Sequence, residues 1–296
     1  MVYSVFVGVE MKIKLILLLF LYISCSSEDT TTRVTERGKF IDNWTYEFFM
    51  VEPEANTFKL WIPEGVTPRA ILVLAPGGGG NGTGLVNYKE WQDYAKAEKL
   101  ALLGVYVRSD LETASSNMID ALKKIAEKNN VEYISDLPVL LRGFSHGGRF
   151  SHVFSQLYSS KTIAYVTIKG SILNLGTNSP PGLLITGEQD AQEINKTVER
   201  AFLHYRSLKN IVCFAEEPHM GHSVGKSDIL ARVFFSSVLK LRLKNNLLQE
   251  IKEQDVFLGN NTSHDFFEYS SFPDDKQKAS CLVDSQFANA WKSFLN

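Results

Sequence analysis

Between Ala70 and Ala215 the chain alternates between two textures. Short unbroken apolar runs stand at 70–75 (AILVLA), 100–107 (LALLGVYV), 138–141 (PVLL), 162–168 (TIAYVTI), 183–186 (LLIT) and 211–215 (IVCFA). A run with no polar face suits a strand that is covered on both sides. Between the runs, at 91–99, 118–127, 148–158 and 191–208, apolar residues recur with the spacing of a helix. Strands joined by helical crossovers predict a mostly parallel sheet with helices on both faces, an α/β fold. Residues 49–63 are rich in strand formers with scattered apolar positions, which predicts an antiparallel pair or meander. From Leu241 onward two helical stretches are predicted around a polar loop. In the last of them Phe287, Trp291, Phe294 and Leu295 share one face and are expected to dock on the sheet. There is no internal repeat, and no linker divides residues 40–240.

The opening has a different pattern. Lys12 and Lys14 precede nine apolar residues, Leu15 to Ile23. A bilayer-spanning helix needs about 20, so the run is too short for a lasting span and has the form of a secretory signal. Met11 is the better start, because Glu10 is out of place in a signal's first segment. Ser24 directly before Cys25, at the end of the run, resembles a bacterial lipoprotein signal. That resemblance implies removal of residues 1–24, lipidation of Cys25 and a membrane anchor at the periplasmic side or the cell surface. An ordinary secretory signal that contains Cys25 is the alternative. Residues 25–40 then read as a tether, and 41–296 as a single domain with a C-terminal helical extension from about 241.

Charge and cysteine usage exclude several classes. The 296 residues carry 31 basic and 33 acidic side chains. A formal charge of −2 offers no polycationic surface for a phosphate backbone, so nucleic acid is not an expected partner. The three cysteines, Cys25, Cys213 and Cys281, form no C-x-x-C pair, which excludes a structural zinc site or a disulfide scaffold as the organising principle. In an exported protein Cys213 and Cys281 could pair with each other.

One segment carries specific chemistry. Gly143-Phe144-Ser145-His146-Gly147 matches G-x-S-x-G, after the run PVLL and before a helical pattern. The physical need is a sharp strand-to-helix turn that presents Ser145 Oγ outward, with glycines where side chains would collide. Straight after AILVLA comes Pro76-Gly77-Gly78-Gly79-Gly80-Asn81-Gly82. No G-K-[ST] follows, so this is not a phosphate loop. It reads as an oxyanion hole, in which the amide of Gly78, or of Gly79, converges with that of His146 on a developing negative oxygen.

Together these elements resemble the α/β-hydrolase fold, and within it the bacterial esterases related to polyhydroxybutyrate depolymerases and feruloyl esterases. The resemblance spans roughly residues 45–240. It implies a catalytic acid on the loop after GLLIT, which is Asp190, with Glu188 as the neighbouring alternative. It implies a base after IVCFA, which is His222 in the Gly221-His222-Ser223 step, with His219 as the alternative. Ser145, Asp190 and His222 follow the chain order that this fold uses. His152 and His204 read as surface or boundary residues, and Tyr106 and Arg108 as residues of the site rim. The expected activity is cleavage of carboxylic esters through an acyl-enzyme on Ser145, with a small or polymeric ester as substrate and no metal or cofactor implied. A serine peptidase of the same fold and an inactive ligand-binding relative are the alternatives.

Overall fold

The computed structural model describes residues 38–47, 55–78 and 80–296. The signal segment, Cys25 and Gly79 lie outside the described residues. Eight strands form the main sheet: β1 (Gly38–Glu47), β2 (Ala55–Pro63), β3 (Ala70–Ala75), β4 (Leu100–Tyr106), β5 (Val139–Phe144), β6 (Thr162–Ile168), β7 (Gly182–Gly187) and β8 (Val212–Glu217). Their order is β1-β2-β4-β3-β5-β6-β7-β8. The β1–β2 and β2–β4 pairs are antiparallel and every later pair is parallel. Because β1 begins at Gly38, the last three residues expected in the tether belong to the sheet.

Among the described residues six α-helices accompany the strands: α1 (Lys89–Glu98), α2 (Leu111–Lys128), α3 (His146–Leu157), α4 (Gln192–Ser207), α5 (Ser227–Arg242) and α6 (Ser285–Leu295). Successive residues of β3 show how they are shared out. Ala70, Leu72 and Leu74 face a core that includes residues of α1, α5 and α6, whereas Ile71, Val73 and Ala75 face one that includes residues of α2, α3 and α4. All six β3 side chains are buried. The central strands therefore need apolar residues at every position, each worth roughly 1.5–3 kcal/mol when a Val, Leu or Ile is fully buried.

The chain after α5 departs from expectation. In place of the first of the two helical stretches it has a short hairpin, β9 (Leu243–Lys244) with β10 (Leu247–Leu248). A three-stranded sheet follows, with β11 (Phe257–Gly259) between β12 (Phe266–Glu268) and β13 (Ser280–Leu282), and then α6. Asn245 and Asn246 at the hairpin tip have φ of 51° and 61°. Two consecutive positive φ values make a tight turn that asparagine tolerates and that a helix cannot accommodate. The final helix does dock as expected. Phe287 and Trp291 are buried, and the Trp291 indole N–H donates to the Phe214 carbonyl of β8 at 2.7 Å.

Candidate active site

Every parallel strand from β3 to β8 runs in the same direction, so the loops at their carboxyl ends gather on one edge of the sheet. Ser145 leaves β5 at φ 53° and ψ −115°, a conformation that non-glycine residues rarely hold. Three hydrogen bonds fix this turn: Ser145 N–H to Ile168 O at 2.8 Å, Gly147 N–H to Pro76 O at 3.0 Å and Arg149 N–H to Ser145 O at 3.1 Å. The flanking glycines are required by contact. A Cβ on Gly143 would land on the Gly147 carbonyl, and one on Gly147 would strike the carbonyls of Ala75 and Pro76.

The loops after β7 and β8 bring the other expected residues to Ser145. His222 Nε2 lies 2.8 Å from Ser145 Oγ, and its Nδ1 lies 3.0 and 2.9 Å from the two Asp190 carboxylate oxygens. Asp190 is almost wholly buried, while the imidazole is 40% exposed and so reachable from solvent. Asp190 also accepts from Ala191 N–H at 2.7 Å. The Phe144 ring packs against the imidazole with centroids 5.2 Å apart. On the facing side, the position of a Cβ on Gly78 is 3.7 Å from His146 Cβ, so the glycine loop and the start of α3 run side by side. Burial of the His146 ring, with a smaller contribution from Arg149, lowers its pKa and favours a neutral imidazole there.

The two alternatives engage each other instead. His219 N–H donates to Glu188 Oε2 at 2.6 Å, and its ring Nδ1 lies 3.1 Å from the same oxygen. The His219 side chain is 86% exposed. Elsewhere the Arg108 guanidinium lies over the Tyr106 ring at the end of β4, 5.3 Å from its centroid. His204 is half-buried, as a boundary residue should be, and its ring bonds the Gly176 carbonyl. His152 does not lie at the surface. It is buried, with Nε2 2.8 Å from Tyr205 Oη, and burial depresses its pKa to about 4.

Sequence reasoning missed an ion pair below the site. Lys169, directly after β6, is fully buried at φ 50°. Its Nζ donates to Glu217 Oε2 at 2.7 Å and to the Ser223 carbonyl, next to His222, at 2.6 Å. Glu217 also accepts from Lys226 N–H and Ser227 Oγ. One carboxylate thus ties together both ends of the loop that carries His222. Backbone bonds from Glu188 N–H to Glu217 O and from Gln189 N–H to Met220 O join that loop to the one carrying Asp190. The only sequence signal was a charged residue at the end of each of two apolar runs.

No protein-family model and no curated protein sequence matches the chain. Solved structures do. An esterase of Pyrobaculum calidifontis superposes with a TM-score of 0.55 at 13% identity, over 71% of this chain and 87% of that one. The fold is that of the α/β-hydrolases. A second structure of a Pyrobaculum calidifontis esterase gives 0.53 at 13% identity, covering 71% and 85% of the two chains. FphF, a fluorophosphonate-binding serine hydrolase of Staphylococcus aureus, gives 0.50 at 15% identity, covering 69% and 99%.

Proposed function

We propose that this protein hydrolyses carboxylic esters through an acyl-enzyme on Ser145. The observation that carries the reading is the unbroken hydrogen-bonded line Ser145–His222–Asp190 on a strained strand-to-helix turn. A serine hydroxyl is a weak nucleophile unless a base takes its proton as it attacks. His222 Nε2 is placed to accept that proton while Oγ bonds to the ester carbon. His222 then returns the proton to the leaving alkoxide as the C–O bond breaks. Water repeats the sequence, its proton passing to His222 and its hydroxyl to the acyl carbon, which frees the acid and restores Ser145. Asp190 holds the imidazole in the tautomer with Nδ1–H and offsets the imidazolium charge. The amides of Gly78 and His146 are the expected donors to the oxyanion, each worth roughly 3–4 kcal/mol in the transition state. The solved structures of similar fold described as esterases support the choice of an ester over an amide substrate.

Fluorophosphonate should label one residue, Ser145. Ser145→Ala should abolish labelling and lower turnover by a factor on the order of 10⁴ or more, with the melting temperature unchanged. Labelling that persists in the alanine variant would place the nucleophile elsewhere, and release of amide but not ester products would favour the peptidase. Among base variants, His222→Ala should abolish turnover and His219→Ala should retain at least about a tenth of it, a comparison that tests the proton acceptor directly.

Export and lipidation at Cys25 complete the proposal, supported by the basic-flanked apolar run that ends beside it. Cys25→Ala should move the protein from the membrane to the soluble fraction. Unchanged membrane retention would rule out the anchor.

A further inference from the structure

A cavity of about 420 Å³ lies between the amino end of α2, one side of α3 and the segment that follows β6. Arg149, in the first turn of α3, lines it. The residue is half-buried and, among the described residues, its guanidinium makes no hydrogen bond or ion pair. Asp110, which shares the cavity wall, is committed elsewhere, because its carboxylate caps α2 through Thr113 N–H at 2.9 Å. Glu112, the other acid on the wall, is exposed to solvent. Ser171 and Asn174 supply further polar groups, and Leu111 and Leu173 supply apolar ones. This mixture of charged groups, a few hydrogen-bonding groups and apolar surface is the usual make-up of a small-molecule subsite.

Arg149 joins the cavity wall to the backbone of the nucleophile turn. Arg149 N–H bonds the Ser145 carbonyl, and Gly170 packs against both groups. The segment bearing Ser171 and Asn174 therefore starts at Ser145 and continues along the cavity wall. Four helical residues separate the Cα atoms of Ser145 and Arg149 by about 6 Å along the axis. A carboxylate a few carbons from an ester carbonyl can span that gap.

We propose that Arg149 anchors esters that carry a carboxylate, so that the preferred substrate is a monoester of a dicarboxylic acid or a comparable anionic ester. The proposal rests on the ester hydrolysis proposed above and names its substrate class. A guanidinium offers paired N–H donors that match the two oxygens of a carboxylate. A guanidinium on a half-buried residue and without a protein partner gains paired hydrogen bonds from an anionic ligand, whereas a neutral ester leaves it as it was. Arg149 exchanges no proton in the reaction. One water is consumed, one C–O bond breaks, and an acid and an alcohol are released.

The test uses the whole chain with two esters of similar length, mono-4-nitrophenyl glutarate and 4-nitrophenyl butyrate. The wild-type protein should favour the glutarate at least tenfold in kcat/KM, and rising KCl should erode that preference. Arg149→Met should lower the ratio at least tenfold, mostly through KM for the glutarate, and Arg149→Lys should restore part of it. A ratio that Arg149→Met leaves unchanged, or a wild-type preference for the neutral ester, would overturn the role of Arg149 while normal fluorophosphonate labelling still upheld the hydrolase. Failure of both esters together with failure of labelling would overturn both.

Discussion

His152 and His222 lie seventy residues apart in the chain and illustrate two fates of one side chain. His222 keeps its ring open to solvent between Ser145 and Asp190. His152 is sealed between α3 and Tyr205 of α4, where burial depresses its pKa from 6.5 to about 4. In the unfolded chain His152 takes up a proton as pH falls through about 6.5, whereas in the folded protein it stays neutral until about 4. Between those values the unfolded state binds more protons, so folding stability falls as pH falls. The loss amounts to roughly 3 kcal/mol when pH reaches the lower value. Thermal melts from pH 7 to 4 should show this decline, and His152→Gln should flatten it; an equally steep decline in the variant would assign it to other groups. His222 was readable because a Gly-His-Ser step followed the last core strand. His152 was not, because its enclosure comes from Tyr165 of β6 and Tyr205 of α4, residues distant in the chain that no local pattern brings to it.

The Lys169–Glu217 pair links the loops after β6 and β8 from below, and backbone bonds tie the loop after β7 to the latter. Removing one partner of a buried ion pair leaves the other charge uncompensated, at a cost of about 3–5 kcal/mol. Lys169→Met should therefore lower the melting temperature and slow turnover by loosening the His222 loop. The double variant Lys169→Met, Glu217→Gln should recover stability, and a double variant no more stable than the single one would show that the pair is not coupled. The parallel strands were legible because burial on two faces leaves an unbroken apolar run, as in β3 and β6. The start of α2 was legible only from 118 because its first turns are rich in Ser and Thr; the signal was the cap, Asp110 accepting from Thr113 N–H. In the tail, strands of two or three residues are too short to show an alternating pattern, and the Asn-Asn turn was the one local cue.

Across the whole molecule, the segment after α5 closes the side of the sheet that ends at β8. Cys213 of β8 and Cys281 of β13 are both buried there as free thiols, not as the bridge an exported protein could form. Burial raises both thiol pKa values, that of Cys281 to about 11. Neither thiol should react with a disulfide reagent at pH 8 while the protein is folded, and both should react in guanidinium chloride. Rapid labelling of the native protein would show that the tail opens readily.

The closure of β8 also has a consequence for the order of events during synthesis. Phe214 turns both of its backbone groups away from β7, the arrangement that normally recruits another strand. Its N–H is taken by Ser280 Oγ at 2.9 Å, and its carbonyl by the indole of Trp291. Both partners leave the ribosome dozens of residues after β8. During that interval the sheet has a sticky border, open to any extended segment nearby, including the same border on a second nascent chain. A ribosome that stalls before Ser280 leaves a product with Ser145, Asp190 and His222 already translated and that border exposed, so quality control meets an aggregation hazard first.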